Sequence, residues 1–361
     1  MEASAQAGSG GPKPVVCFLG PVSSYTHQAT LKTFPADQYE LMPVTTIKDI
    51  FDTTQAGAAT YGVVPFENST NGSVVFTLDH FADRSGVYGG LNVCGEIYLD
   101  VHHCLLGHAA PSPSPPAETG AEDSGGAPPT TTTAQHAPSP SRPLHPISHV
   151  RRVYSHPQAF GQCTAFLGAW LRGVETVDVS STSRAAELAL ADASGESAAI
   201  SSAAAAALLG GLDVLARNIE DRDDNTTRFF VLRRGVGDDD YDSNDSPAPT
   251  TGGGEDGGGE DDAGLLAGTK SLLSFTVPHR SPGALADVLS CFRRGGLNLT
   301  SINSRPSLAG AFEYVFFVEF EGHRFRDPRR RVARVLADVA AVARTSRWLG
   351  SWENMRRQRP G

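Results

Sequence analysis

The chain has 361 residues, of which 40% are apolar, 19% charged and 8% aromatic. This length allows two or three domains, and the apolar fraction excludes a chain that is disordered throughout. The formal net charge is −10, but residues 236–264 alone contain ten Asp or Glu and no Lys or Arg, and the rest has 30 residues of each sign. The charge therefore indicates a linker, and it supports neither a nucleic-acid partner nor an acidic active-site field.

Other sequence features bear on compartment and cofactors. The longest uncharged apolar stretch, 198–212, is shorter than the ~20 residues that span a bilayer. The first residues lack the basic and apolar regions of a secretory signal, so we expect a cytoplasmic protein. Five cysteines without C-x-x-C spacing predict free thiols rather than a disulfide framework or a zinc ribbon. No motif indicates a metal or nucleotide site, and no cofactor is expected.

Alternating strand and helix patterns fill the first part of the chain. Short apolar runs predict strands at 15–20, 60–66, 95–107, 152–156, 175–180 and 228–235. A helix is expected over 181–194, capped by Ser180 or Ser181, with Ala185, Leu188 and Ala189 facing a core. This is an α/β pattern, and ligands of such sheets bind beyond the carboxyl ends of the strands.

Two segments interrupt the globular pattern. Residues 109–146 contain ten of the 24 prolines and a run of four threonines, which predicts an unpacked insertion. The acidic, Gly-rich linker is expected to cover 236–268. The packed regions that remain are 14–235, which includes the insertion, and 269–355.

The second region predicts a β-α-β-β-α-β order. Strands are expected at 271–278, 297–304, 313–322 and through Trp348. One helix would begin at Pro282 and end at Gly295 and Gly296, and a second would run over 327–344. This order indicates a small ferredoxin-like α+β sandwich.

Four loops carry clustered polar residues after predicted strands, and each has a structural alternative. Residues 20–27 form a strand-turn-helix junction that suits a carboxylate or phosphate, or provides ordinary helix capping. Residues 64–74 place Glu67 at the end of a buried strand. In 219–232, Arg228 could bind an anion or pair with neighbouring acids. His156 also follows a strand, where a structural hydrogen-bonding histidine is the more common case.

The ordered set of these motifs is more specific than any one of them. The strings FLGPVSSYTHQA, GVVPFENSTNGSV, VYSHPQAFGQC and IEDRDDNTTRFFVL together closely resemble the prephenate dehydratase family. The second region resembles an ACT regulatory domain, with Pro282-Gly283-Ala284-Leu285 and Asn303-Ser304-Arg305-Pro306 at the two loops that bind phenylalanine in this family.

The resemblance implies both a fold and an activity. The fold would be a two-lobed, type II periplasmic-binding-protein-like catalytic domain, with chain crossings near 93–97 and 213–225, followed by the ACT domain. The activity would be conversion of prephenate to phenylpyruvate with loss of water and carbon dioxide, inhibited by phenylalanine. The assembly would be a homodimer or tetramer formed through both domains.

The resemblance also implies residue roles. Thr227 would donate the proton to the departing hydroxyl, helped by Ser69 or Asn68, and Arg228 would clamp the side-chain carboxylate. Ser24 and Thr26 would hold the same substrate, and Thr226 would line the site. Glu67 and His156 rank below the hydroxyls, as supporting groups. The implied effector-binding residues are Gly283, Ala284, Leu285, Asn298, Leu299, Asn303, Ser304, Arg305 and Pro306.

Some positions depart from the family pattern, and two other functions stay open. Ser23 stands where the family has glycine and Ser24 where it has threonine, so a positive φ at Ser23 would cost about 1 kcal/mol. Asn303 replaces a glutamate in the effector motif. Arogenate dehydratase, the same chemistry on an aminated substrate, is one alternative, and a non-catalytic amino-acid sensor is the other. Retention of Thr227 and Arg228 argues against the sensor.

Overall fold

The structure is a computed structural model that describes residues 12–110, 141–235 and 262–357. The predicted insertion lies mostly outside these residues, as does the predicted linker up to residue 261. The described residues form two compact units, one made of the residues up to Asp100 and from Thr226 onward, the other of Val101–Asn225.

Ten helices are described. They are α1 (Tyr25–Thr33), α2 (Ile47–Gln55), α3 (Val75–Phe81), α4 (Pro157–Gly161), α5 (Thr164–Trp170), α6 (Thr182–Ala191), α7 (Ala203–Leu209), α8 (Asp262–Ala267), α9 (Ala284–Gly295) and α10 (Arg331–Val342).

The described strands number fifteen. They are β1 (Val15–Leu19), β2 (Glu40–Val44), β3 (Tyr61–Asn68), β4 (Gly72–Ser73), β5 (Leu91–Asp100), β6 (Cys104–Gly107), β7 (Arg152–Ser155), β8 (Glu175–Asp178), β9 (Ser197–Ser201), β10 (Asp213–Ala216), β11 (Thr226–Arg234), β12 (Thr269–Thr276), β13 (Leu299–Pro306), β14 (Tyr314–Glu321) and β15 (Thr345–Glu353).

The first unit is built on one mixed sheet. Its strand order is β13-β14-β12-β15-β5-β11-β3-β1-β2, and β4 forms a short hairpin with β3. β1 is parallel to both β2 and β3, whereas β11 is antiparallel to both β3 and β5. The predicted α/β class is therefore confirmed, and β11 lies between β5 and β3, the strand that ends in the polar segment 64–74.

The second unit has its own sheet, in the order β10-β6-β9-β7-β8. β9 is parallel to β7 and antiparallel to β6. Its sequence, Ser-Ala-Ala-Ile-Ser, is completely buried, yet the side chains are too small to give a strong apolar signal, and we did not predict this strand. α6 begins after the predicted cap, Ser181, whose hydroxyl accepts from the Arg184 N–H.

The prediction of one long strand over 95–107 is wrong. The chain leaves β5 at Asp100 and enters β6 at Cys104, and these strands belong to different sheets. The break lies where the chain passes from one unit to the other, and the Val101 N–H donates to the Asn225 carbonyl at 2.8 Å. Continuous apolar composition could not reveal this change of sheet.

The C-terminal strands follow the predicted β-α-β-β-α-β order and pair as β13-β14-β12-β15. α9 starts at Ala284 rather than Pro282, because Gly283 adopts a φ of 82° and serves as the N-cap. The end of the predicted linker also differs, since residues 262–267 form α8, in which Leu266 is buried.

One apolar cluster joins strands that sequence reasoning assigned to separate regions. Phe66 and Phe230 stack with ring centroids 4.0 Å apart, and Trp352 contacts Phe230 at 5.1 Å. Leu272 and Phe317 belong to the same buried cluster. The C-terminal strands therefore complete the core that supports β3 and β11.

Candidate active site

The candidate site lies at the end of β3 and the beginning of β11. In the antiparallel register Thr227 is opposite Asn68, and on its other side Thr227 is opposite Leu99 of β5. The polar residues that follow β3 and those that begin β11 therefore meet at one end of the sheet. The sequence places these two motifs 159 residues apart, and strand pairing brings them together.

Asn68 contacts the predicted proton donor directly. Its Nδ2 donates to Thr227 Oγ1 at 3.0 Å. Its Oδ1 accepts from the backbone N–H groups of Thr70 and Asn71, both at 3.0 Å, which fixes the amide orientation. A donor aimed at a hydroxyl oxygen stabilises the negative charge that develops when that hydroxyl gives up its proton.

Ser69 and Thr226 lock the backbone beside this pair. The Ser69 N–H donates to the Thr226 carbonyl, and the Thr226 N–H donates to Ser69 Oγ, both at 2.9 Å. Thr226 Oγ1 donates to Asp100 Oδ1 at 2.7 Å. These bonds fix the backbone position from which the Thr227 side chain projects.

Arg228 and Glu67 lie on the opposite face of these strands. Successive side chains of a strand point to opposite faces, and Arg228 pairs with Glu67 in the register while Thr227 pairs with Asn68. Arg228 is only 5% exposed, and its guanidinium lies 4.8 Å from the centre of the Phe230 ring. A Glu67 carboxylate oxygen is 3.8 Å from Arg228 Nη1.

Buried carboxylates bind the Arg228 guanidinium. Nη2 contacts Glu96 Oε2 at 2.6 Å and also Glu319 Oε2. Lys270 Nζ is within 3.4 Å of both carboxylates, so the cluster of Arg228, Lys270, Glu96 and Glu319 has two charges of each sign. These contacts do not fit the predicted substrate clamp, because the guanidinium already has protein carboxylates as partners.

The charges of this cluster stabilise one another against desolvation. Burial opposes ionisation of Glu319, but Arg228 and Lys270 outweigh it and lower the pKa of the carboxyl. Burial likewise opposes the charge of Arg228, and Glu319 and Glu96 more than compensate, so the pKa of the guanidinium is raised. Glu319 and Arg228 are therefore both charged at neutral pH.

The first loop combines an N-cap with a strained residue. Ser24 caps α1, accepting from the His27 N–H at 3.1 Å and donating to the Leu19 carbonyl at 2.9 Å. Ser23 has a φ of 85° and is 2% exposed, so this serine does carry the strain that a positive φ imposes on a residue with a Cβ. Thr26 is also buried. Ser24 therefore serves as an ordinary helix cap, which was the structural alternative for this loop. The contact of Ser24 with substrate stays a prediction.

His156 lies in the second unit and caps a helix. It precedes α4, and its Nδ1 accepts from the Gln158 N–H at 3.2 Å. This geometry matches the structural hydrogen-bonding alternative. A substrate-binding role for His156 stays a prediction.

The predicted effector residues fall into two groups. Gly283, Ala284 and Leu285 line a cavity of about 440 Å³, together with Val277, His279 and Phe316. Leu299, Asn303, Ser304, Arg305 and Pro306 are in β13, and Asn298 directly precedes the strand. Asn303 and Arg305 contact Ser73 and Asp79 of the segment that follows β3.

The described residues contain neither a metal-ligand cluster nor a membrane-spanning helix. In residues 12–110, 141–235 and 262–357 no three His, Cys, Asp or Glu side chains converge as metal ligands. No described helix has the length and apolar character to cross a bilayer.

Comparison with known proteins identifies the family. The family model described as prephenate dehydratase matches residues 16–236. The chain belongs to the prephenate dehydratase family. The expected activity class, a carbon–oxygen hydro-lyase of this family, is thereby confirmed.

Individual relatives agree with this assignment. The bifunctional chorismate mutase/prephenate dehydratase of Aquifex aeolicus is 33% identical over 337 residues, covering 93% of this chain and 73% of the relative. The prephenate dehydratase of Amycolatopsis methanolica is 30% identical, covering 93% and 88%. The crystal structure of Arthrobacter aurescens prephenate dehydratase in complex with L-Phe has a TM-score of 0.69 at 26% identity, covering 96% and 92%.

Within this prephenate dehydratase fold, sequence reasoning missed four polar residues beside the site. Glu96, Lys270 and Glu319 form the ionic cluster around Arg228, and Asp100 accepts from Thr226. A signal was present, since Glu96 and Glu319 stand inside apolar strand sequences, where a charge requires a partner. The sequence could not identify which positively charged residues would be the partners of these two carboxylates.

Proposed function

We propose that the protein dehydrates and decarboxylates prephenate to phenylpyruvate, with Thr227 as the proton donor. The observation that carries this proposal is the hydrogen bond from Asn68 Nδ2 to Thr227 Oγ1 in a chain of this family. Because Asn68 donates to the oxygen, the hydroxyl hydrogen of Thr227 remains directed elsewhere and can be given to the substrate.

The reaction needs one proton and no redox partner. The bond between the ring carbon and its hydroxyl breaks as Thr227 Oγ delivers its proton, and the oxygen leaves as water. The bond to the ring carboxylate breaks as well, its electron pair completes the aromatic ring, and carbon dioxide departs. Aromatisation supplies the driving force, so a weak acid suffices when a donor such as Asn68 stabilises the threonine alkoxide until solvent reprotonates it.

Other residues have supporting roles in this proposal. Ser69 and Thr226 hold the backbone of Thr227, and the hydroxyl-rich turn at Ser24 and Thr26 contributes to substrate binding. Arg228 stabilises the strand from its opposite face rather than clamping the substrate, which is supported by its contacts with Glu96 and Glu319. Glu67, on that same face, is not a proton donor.

We also propose feedback inhibition by phenylalanine through a C-terminal ACT domain. The cavity beside Gly283, Ala284 and Leu285 supports this, since its lining is largely apolar and it includes Phe316. A relative of known structure was solved with L-Phe. The type II binding-protein-like fold of the catalytic domain is supported by the two chain crossings, at Asp100–Val101 and Asn225–Thr226.

We infer that two copies associate through the C-terminal strands, and that the protein works in the cytoplasm. β13 is an edge strand of its sheet, and its side chains Leu299 and Ile302 are 37% and 51% exposed. Exposed edge strands with apolar side chains favour pairing with another chain.

Turnover assays with the purified full chain test the function. Prephenate should yield phenylpyruvate, and added phenylalanine should suppress the rate. Arogenate is supplied separately and scored as phenylalanine formation, and faster turnover of arogenate would overturn the substrate assignment. If neither substrate reacts while phenylalanine raises the melting temperature, the protein is an amino-acid sensor.

A further inference from the structure

We propose that Asp79 is a positioning residue that ties the catalytic turn to the effector-binding strand β13, so that Asn303 and Arg305 transmit effector binding rather than contact the effector. The proposal rests on the proposed function, because it concerns inhibition of that same reaction. It depends on four hydrogen bonds that join β13 to the segment following β3. It also depends on the face of β13 from which the bonding side chains arise.

The segment after β3 is hydrogen-bonded to the strand that carries the catalytic turn. β4 pairs with the end of β3, with Ser73 opposite Glu67 and Gly72 opposite Asn68. The Val74 N–H donates to the Phe66 carbonyl at 2.7 Å, and the buried Thr77 hydroxyl donates to the Pro65 carbonyl at 2.7 Å. α3 is thus bonded to the strand that ends in Asn68, and a displacement of α3 changes the position of Asn68.

Asp79 of α3 is bound by arginines at two positions. Arg305 donates to its carboxylate with Nε at 2.7 Å and Nη2 at 3.0 Å, the bidentate geometry that fixes both partners. Arg84 Nη2 donates to Asp79 Oδ1 at 2.8 Å, and Arg84 Nε donates to the Pro306 carbonyl at 3.0 Å. The carboxylate therefore joins the end of α3 to the end of β13.

A second contact lies nearer the catalytic turn. Ser73 Oγ donates to Asn303 Oδ1 at 2.8 Å, and Asn303 Nδ2 donates to Ser301 Oγ at 3.1 Å. Asn303 and Arg305 are two residues apart in β13, so both side chains leave the same face of the strand. That face is the one in contact with Ser73 and Asp79.

The effector cavity lies toward the other face of β13. Ser304 separates Asn303 from Arg305, and it is opposite Phe316 in the pairing of β13 with β14. Phe316 lines the cavity together with Gly283 and Leu285. A ligand in that cavity therefore touches the cross-strand neighbour of Ser304, while the adjacent side chains hold the catalytic segment.

This arrangement gives a short physical connection from the cavity to Thr227. A shift of Phe316 moves Ser304, which carries Asn303 and Arg305 with it in the same strand. Their bonds reach α3, which is itself bonded to the strand bearing Asn68. Coupling between two sites requires an element whose position both ligands affect, and the segment 67–81 meets that requirement.

The experiment separates effector binding from inhibition. In the full chain, Asp79→Asn and Arg305→Gln should each raise the phenylalanine concentration for half-inhibition about tenfold or more, while calorimetric Kd for phenylalanine stays within about twofold of wild type. The double variant should resemble each single variant, because both remove the same contact. Glu175→Gln, which removes the exposed Arg152–Glu175 pair of the other unit, is the control and should change neither quantity.

Unchanged inhibition in Asp79→Asn overturns the proposal. So does a loss of phenylalanine affinity in Arg305→Gln that matches its loss of inhibition, because Arg305 would then be a ligand contact.

Hydrogen exchange on the wild-type chain covers the case of an inactive or unstable variant. Phenylalanine should alter amide exchange in residues 67–81, and no change there also overturns the proposal. Exchange and calorimetry need no prephenate, so failure of the proposed activity would be recognised separately by absence of wild-type turnover.

Discussion

The Asn68 amide nitrogen donates to the Thr227 hydroxyl oxygen at 3.0 Å, while the Asn68 carbonyl oxygen holds the next two backbone N–H groups of the turn. One side chain thus fixes the turn after β3 and directs a donor at the proposed acid. Because the two functions use different atoms of the amide, substitution can separate them.

Thr227→Ala removes the proposed proton donor. We expect kcat to fall about 10²–10⁴-fold with little change in KM, the range for loss of a general acid. Thr227→Ser retains the hydroxyl and should keep most of the activity. Steady-state kinetics with prephenate measure both, and a near-normal kcat for the alanine variant would remove Thr227 from this role.

Asn68→Asp keeps the oxygen that accepts from Thr70 and Asn71 but replaces the donor with a negatively charged acceptor. The alkoxide of Thr227 then loses its stabilising donor and faces a like charge, so kcat should fall by about 10² or more. The melting temperature should stay close to wild type because the turn is retained. Asn71→Asp, in the exposed part of the same turn, is the matched control. Equal kinetics for both variants would contradict the proposed role of Asn68.

Ser23 and Ser24 are neighbours with opposite expected effects on stability. Ser23 holds a φ of 85°, so Ser23→Gly should raise the free energy of unfolding by about 1 kcal/mol. Ser24 is the N-cap of α1, and Ser24→Ala should lower it by about 1 kcal/mol. Denaturant unfolding of the two variants beside wild type measures both changes, and a destabilised Ser23→Gly would show that the serine side chain contributes more than its strain costs.

Local patterns predicted most strands, and the limits of those patterns explain where the structure differs from the expected site. Thr227 and Arg228 are adjacent in sequence, and their family motif led us to place both on one substrate. Strand alternation separates them, so Thr227 faces Asn68 while Arg228 faces the buried carboxylates. Once Thr227 and Arg228 are assigned to a strand, the alternation of side chains between its two faces already predicts that they have separate roles.

Long-range partners were beyond the sequence. Glu319 is 91 residues from Arg228, and Trp352 packs on Phe230 although a linker separates the two regions in the chain. Nothing local specifies which of many charged residues a buried arginine will meet, because that depends on sheet order. Among the motif residues, Asn68 and Thr227 meet at one end of the sheet because one ends β3 and the other begins β11, whereas His156 lies in the other unit.

His323 makes stability depend on pH. Burial, reinforced by Arg326, lowers the pKa of its imidazole to about 3, and its Nδ1 accepts from the N–H groups of Phe325 and Arg326. In the unfolded chain the group titrates near ~6.5, so the unfolded state binds a proton that the folded state does not. Above about pH 6.5 the neutral imidazole of His323 costs the fold nothing. Below that pH the free energy of unfolding falls progressively, until about pH 3.

The variant His323→Asn keeps a side-chain acceptor and does not titrate. The difference in unfolding free energy between wild type and this variant should therefore be nearly constant above about pH 7 and shift against wild type below about pH 6.5, where the slope approaches roughly 1.4 kcal/mol per unit of pH. Urea unfolding at several pH values measures it. The exposed His145, replaced by Asn, is the control. A difference that does not vary with pH would mean that His323 titrates with the same pKa in the folded and unfolded chains.

Glu319→Gln tests whether the Arg228 cluster stabilises the fold or binds substrate. Removing one partner of a buried ion pair leaves uncompensated charge on Arg228 and Lys270, so the free energy of unfolding should fall by about 3 kcal/mol. KM for prephenate should stay close to wild type, because the guanidinium has no substrate role in this assignment. Glu321→Gln, two residues along β14 and loosely paired with Arg357, should cost less than about 1 kcal/mol.

Arg228→Lys completes the test, since lysine keeps the positive charge but loses the planar fork that reaches Glu96 and Glu319 together. The expected result is lower stability with KM nearly unchanged. A clamp would give the reverse, a raised KM in a chain of normal stability, because a point charge holds a carboxylate less well than the fork does. Thermal unfolding and prephenate kinetics on the same preparations therefore decide between a structural cation and a substrate-binding one, and a large rise in KM would restore Arg228 to the active site.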